Sequence, residues 1–165
     1  MFKEISAKEI DGNLIEAIAD EWMLITAGNS EKYNTMTASW GYMGELWGAD
    51  SAVVFVRPQR YTLEFLNSND YFTLSFYGDQ KQIHKVCGSM SGRDVDKAEL
   101  ASLTPKFDEA APYFEQARMV IICKKQYTDT LKAENFTDTA PLERWYDGDL
   151  HHIFVGKIEK VLIKE

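Results

Sequence analysis

The sequence predicts a mainly β domain, an antiparallel sheet or barrel interrupted by helices. Three observations lead there. About six segments between residues 22 and 163 read as strands. Helical patterns fall between some of them without the strand-for-strand alternation of a doubly wound sheet. No strand–turn–helix carries G-x-G-x-x-G, and there is no Walker loop. The 165 residues contain no repeat, linker or low-complexity tract, which suits a single domain over residues 1–165.

Residues 13–20 predict a short helix, with Leu14, Ile15, Ile18 and Ala19 on one face. Residues 22–27 read as a buried strand stopped by Gly28-Asn29, and residues 35–42 as a second strand. The third, residues 52–56, is apolar on both faces, which predicts cover on both sides. Pro58 pushes the residue before it out of the helical region and suits a first turn, so a helix is expected over residues 59–67. Residues 71–77 alternate, with Phe72, Leu74 and Phe76 on one side and Thr73 and Ser75 on the other. Residues 80–90 place Ile83, Val86, Cys87 and Met90 on one helical face. A further helix is expected from an Asp94 cap to about residue 101. Residues 119–127 and 150–163 are the last strands, and Gly156 inside the second marks a bulge or a close approach.

Composition removes several function classes. Hydrophobic residues make up 45% and charged residues 27%, unlike a disordered tail, a coiled-coil rod or a collagen-like chain. The net charge of −8 disfavours nucleic acid and anionic membrane surfaces, since both call for a basic face. A few arginines can still hold one small anion; the five are Arg57, Arg60, Arg93, Arg118 and Arg144. The two cysteines, Cys87 and Cys123, form no C-x-x-C pair and read as reduced core thiols. No metal site is expected, because His151 and His152 point to opposite faces of a strand. No apolar run approaches the ~18–20 residues of a membrane span. The first ten residues lack an apolar h-region, so the expected compartment is the cytoplasm.

Four clusters carry candidate chemistry. In Arg57-Pro58-Gln59-Arg60-Tyr61-Thr62, two guanidinium groups flank an expected helix start, where free N–H groups favour an anion. Two surface arginines paired with carboxylates would give the same pattern. Ser91-Gly92-Arg93, with Lys97 behind it, can present backbone N–H groups to a phosphate, or can simply connect two helices. Asn34-Thr35-Met36-Thr37-Ala38-Ser39-Trp40 mixes small residues with one Met and one Trp, which lets a flat ligand approach the backbone. A half-exposed strand would also read this way. In the fourth cluster, Gly148 to Gly156, one of His151 and His152 can face a pocket or both can lie on the surface. No Ser/His/Asp or Cys/His triad follows from spacing, so a hydrolase has no support.

Taken in order and spacing, these clusters resemble the flavin reductase-like family of FMN-binding split barrels, the group that includes flavoredoxin. The resemblance spans residues 22–163. It implies a six-stranded antiparallel Greek-key split barrel with inserted helices. It also implies FMN as cofactor, a homodimer with FMN near the subunit interface, and NAD(P)H or a redox partner protein as electron donor. By the same resemblance, Met36, Thr37, Ala38, Ser39 and Trp40 run along the flavin, and Asn34 and Thr35 just before them are cofactor-binding as well. Arg57, Arg60, Tyr61 and Thr62 hold the phosphate, Ser91, Gly92 and Lys97 close over that end, and His151 stands near the flavin as the candidate catalytic residue. Rings such as Trp47 and Trp145 are expected in the dimer interface.

The expected activity is therefore an FMN-dependent oxidoreductase. A non-catalytic FMN-bound electron carrier and a flavin-free β-barrel interaction protein stand as alternatives. Two departures lean towards the flavoredoxin-like branch, in which FMN stays bound. Gly48-Ala49-Asp50-Ser51 stands where many flavin reductases carry a proline pair, and Trp40 and Trp47 make the flavin side bulkier.

Overall fold

A computed structural model describes all residues from Met1 to Glu165. Ten strands form: β1 (Phe2–Ile5), β2 (Met23–Gly28), β3 (Tyr33–Ala38), β4 (Gly41–Leu46), β5 (Ala49–Val56), β6 (Tyr71–Phe76), β7 (Pro105–Lys106), β8 (Tyr113–Phe114), β9 (Met119–Thr130) and β10 (His152–Lys164). Between them lie α1 (Leu14–Glu16, continued by a π turn, Ala17–Glu21), α2 (Thr62–Ser68), α3 (Lys81–Ser89), α4 (Lys97–Leu100) and α5 (Ala140–Trp145). No helix is long and apolar enough to cross a membrane.

Eight strands make one antiparallel sheet in the order β3-β2-β6-β9-β10-β5-β4, with β1 added to β10. The fold is a mainly β split barrel with inserted helices. The expected count of six strands is corrected to eight for two reasons. The segment over residues 35–42 breaks at Ser39-Trp40 into β3 and β4. The N-terminal β1 pairs with the far end of β10, a contact that no local pattern announces. The β7–β8 pair is a separate small ladder.

The chain bends tightly after β4. Leu46 pairs with Ala49, and the two residues between them, Trp47 (φ 56°) and Gly48 (φ 72°), are both left-handed. Two positive φ angles are what a two-residue hairpin loop needs to follow the strand twist. In β10 the ladder to β9 slips between Val155 and Gly156. A Cβ at Gly156 would come within 2.8 Å of the Phe72 ring and of Cys123 Cβ, so the glycine serves a close approach at a bulge.

Apolar residues gather on both sides of the sheet. Inside the barrel, Ile25, Phe72, Leu74, Phe76, Val54 and Phe154 form the main core. Outside it, Leu24, Tyr77, Cys87, Phe114, Val120 and Ile122 pack beneath α3, α4 and the segment leading to β9. Every residue of β2 is consequently buried. Of residues 52–56 in β5, expected to be covered on both faces, Ala52, Val54 and Val56 are sealed, while Val53 and Phe55 are half-buried. Both cysteines are free and buried.

Two helix boundaries move, and one helix buries a different face. Residues 57–60 form a turn in which the Arg60 N–H donates to the Arg57 carbonyl, and α2 starts only at Thr62. The cap of α4 is Asp96, whose carboxylate accepts from the Glu99 N–H; Asp94 instead closes a turn on Ser91. In α1, Asn13 caps the first turn as its residue type suggests, but Ile15 is 77% exposed and the buried residues are Ala17 and Ile18. The π turn rotates the face away from the 3.6-residue expectation.

Candidate functional site

The site is built around the outer edge of β3. That strand pairs only with β2, so its other edge lacks a neighbouring strand. The carbonyl of Thr35 points out along this edge and accepts from Lys97 Nζ at 2.7 Å. Alternation directs the N–H and C=O of Thr37 to the same edge. Side chains sort the other way: Met36 and Ala38 join the barrel core. Thr37 faces α3, donating to the His84 carbonyl at 3.0 Å.

Two cations converge over the C-terminal end of α3. Lys97 Nζ donates to the Cys87 carbonyl at 3.1 Å, and Arg60 donates to the Gly88 carbonyl at 2.8 Å and the Cys87 carbonyl at 3.4 Å. Lys97 is only 5% exposed, and neither cation forms an ion pair with a carboxylate. Burial, and then the nearby Arg60 charge, lowers the Lys97 pKa to about 8. Burial also lowers that of Arg60. A helix C-terminus offers roughly half a negative charge, so it compensates only part of two buried cations.

Arg57 is placed differently. Its guanidinium bonds to the Asp149 carboxylate and to the Trp145 carbonyl, and it lies 5.1 Å from the Tyr146 ring centre. Asp149 is held well below the usual carboxylate range by the Asp147 N–H, Gln59 and Arg57. Beside this pair stands His151, 6% exposed, with Nδ1 2.7 Å from the Tyr146 hydroxyl. Trp40 packs against both Trp145 and His151, each at 5.2 Å between ring centres. Burial, and then the Arg57 charge, lowers the His151 pKa to about 4, so the ring is neutral at pH 7.

Two cavities divide the residues singled out in the sequence. The first, of about 230 Å³, is lined by Met36, Thr37, Ala38, Ser39, Trp40, Arg57, Arg60 and His151. The second, of about 410 Å³, is lined by Asn34, Thr35, Tyr61, Gly92 and Lys97 among others. Thr62 and Ser91 reach neither: Thr62 is fully buried and its hydroxyl accepts from Asn34 Nδ2 at 2.9 Å, while Ser91 Oγ accepts from the Arg93 N–H. Gly92 lies so close to Asn34 that a Cβ there would collide with the amide oxygen. Sequence reasoning missed Phe55 and Tyr146; Phe55 and Trp145, the latter expected at a dimer interface, wall the first cavity. The aromatic pair Trp145-Tyr146, six and five residues before His151, was the available signal.

Residues 15–165 match the protein family described as the flavin reductase like domain. The chain belongs to this family. No curated protein matches the sequence. Among solved structures, flavoredoxin from Methanosarcina acetivorans superposes with a TM-score of 0.67 at 24% identity, over 88% of this chain and 69% of that one. Flavoredoxin of Desulfovibrio vulgaris (Miyazaki F) gives 0.66 at 22% identity, over 87% and 69%. An FMN-binding domain of a flavin reductases-like enzyme from Shewanella baltica gives 0.67 at 16% identity, over 99% and 77%. At these identities the likeness establishes the shared split-barrel fold of this flavin reductase-like domain.

Proposed function

We propose that this flavin reductase-like domain binds FMN and works as an oxidoreductase, passing electrons from NAD(P)H or a redox partner through FMN to an acceptor. The observation that carries the reading is the meeting of Arg60 and Lys97 without an acid, in a chain of net charge −8. A dianionic phosphate supplies the charge that these two donors lack. The residues fit the rest of the cofactor as well. The open edge of β3 at Thr37 offers backbone groups to a flat heterocycle, and Trp40, Trp145 and Phe55 wall the cavity beside it. FMN supplies reversible redox chemistry when bound, and the protein supplies orientation and a fixed electrostatic setting. His151, neutral at pH 7, can donate or accept one hydrogen bond there without adding charge.

A second reading, an FMN-bound electron carrier with little NAD(P)H activity, is favoured by the aromatic wall of the first cavity, where Trp40 and Trp145 meet edge to face. The Trp40–Trp145 contact restricts room for a second ring. The absorbance spectrum of the purified protein tests FMN binding, and a colourless preparation that takes up no added FMN refutes it. Anaerobic bleaching by NADH or NADPH separates the enzyme from the carrier. The reading also includes a homodimer, supported by exposed Tyr42, Trp47, Tyr127 and Trp145. Sedimentation as a single 18.9 kDa species with FMN bound would contradict that part.

A further inference from the structure

The geometry points to Tyr146 as a positioning residue for His151. Its hydroxyl donates to Nδ1, leaving the ring proton on Nε2, where His151 offers the cavity a neutral donor for a carbonyl or amide oxygen. What that donor would meet rests on the redox reading of the cavity; the tautomer itself does not.

The Tyr146 oxygen and His151 Nδ1 lie 2.7 Å apart, and the hydroxyl has no other side-chain or backbone partner. A phenol is a strong donor and a poor acceptor, whereas the unprotonated nitrogen of imidazole is a strong acceptor. The contact therefore runs from O–H to N. His151 Nε2 has no protein partner, and unlike Nε2 of His84 it is not sealed away from solvent. His151 itself lines the first cavity.

Both rings are held in place. Tyr146 ends α5, with its own N–H donated to the Leu142 carbonyl at 3.1 Å. Arg57, clipped by Asp149 and the Trp145 carbonyl, lies over one side of the Tyr146 ring, and Phe136 meets it edge-on at 6.2 Å. The His151 ring packs against Trp40, with Phe55 edge-on at 6.3 Å, and its carbonyl accepts from the Leu131 N–H. Arg57 and Asp149 are the charged groups that bear on the imidazole; the Arg57 charge disfavours imidazolium, and the Asp149 charge offsets only part of that. A neutral ring with one nitrogen occupied must present the other as N–H.

Nitrogen-15 NMR of the histidine rings tests this in the whole chain at pH 7. With three histidines, His151→Gln assigns the signal. The expected result is a protonated Nε2 and an unprotonated Nδ1. In Tyr146→Phe, which keeps the ring and its packing, the ratio of Nε2–H to Nδ1–H forms should fall about 3- to 10-fold. The titration midpoint of His151 should rise as well, because a hydrogen bond that favoured the neutral ring is gone. A ring protonated at Nδ1 in the unaltered protein overturns the assignment even if Tyr146→Phe does not fold. So does an unchanged ratio in a folded Tyr146→Phe. FMN affinity measured on the same samples separates the two ideas: no FMN uptake with an Nε2–H signature sinks the cofactor reading alone, and FMN uptake with an Nδ1–H signature sinks the tautomer alone.

Discussion

Two arginines three residues apart, Arg57 and Arg60, end up in opposite electrostatic situations. Arg57 meets a carboxylate, a carbonyl and an aromatic face, and its charge is answered within the chain. Arg60 meets only carbonyls, in company with a buried lysine. Under the FMN reading proposed above, the cation with its own acid belongs to the scaffold, and the pair without one is where a phosphate would add the missing negative charge. The sequence treats both arginines as one phosphate cluster; the structure gives them different partners, although both line the first cavity.

The contrast breaks most directly at the unanswered end. Replacing Arg60 by Ala, or Lys97 by Met, removes a charge-assisted contact and should weaken FMN about 10- to 100-fold, with much less effect on riboflavin. Titration calorimetry with both ligands reads the difference, and equal losses would remove the phosphate from this end. Lys97→Met should also keep or raise the melting temperature of the ligand-free protein, since a buried cation without an acid is replaced by an apolar chain of similar length.

Titration sharpens the same point. The Lys97 pKa is lowered on folding to about 8 from the ordinary 10.5, so the unfolded chain binds more protons between these values. The contribution of Lys97 to ligand-free stability therefore rises with pH through this window. A phosphate pulls the other way by favouring the charged amine. FMN affinity should fall about 3- to 10-fold per pH unit above 8 while riboflavin affinity stays level. A parallel response of both ligands would separate Lys97 from the phosphate.

Gly156→Ala lies away from both ends and acts as a control. The added methyl group meets the Phe72 ring and Cys123, which should cost about 1–3 kcal/mol in chemical denaturation. It should leave the preference for FMN over riboflavin intact. Thr37→Val removes the hydroxyl that ties β3 to the His84 carbonyl and should cost about 0.5–1.5 kcal/mol by the same measurement. The smallest effect belongs to Arg57→Ala, whose ion pair is partly solvated; about 0.2–1 kcal/mol of stability is expected. Any loss in binding should be the same for FMN and riboflavin.

Much of this could be read from the residues because the decisive signals are local. The alternation of Phe72, Leu74 and Phe76 placed them in one core, and Gly156 marked its bulge. Part of the candidate site was legible as clusters, in that Met36 to Trp40, Arg57, Arg60 and His151 line one cavity. Longer-range causes were hidden. The pairing of β1 with β10 joins opposite ends of the chain, and the break at Ser39-Trp40 depends on β4 turning to pair with β5. Pro58 opened a turn rather than a helix, and Asp96 outcompeted Asp94 as a cap because only its carboxylate reaches an N–H three residues on. The division between Arg57 and Arg60 turns on Asp149, ninety-two residues from Arg57, which no spacing rule connects to it.

The edge contact between Trp40 and Trp145 also gives the protein a built-in optical gauge. Both indoles wall the first cavity, while Trp22 sits beside Lys81 and Trp47 at the hairpin tip. Half of the chain's four tryptophans thus stand where a ring system would enter. A chromophore stacked there would accept their excitation energy and dim the ultraviolet emission of the protein. Occupancy can then be followed in real time without a label, and Trp145→Phe would show how much of the signal one wall carries.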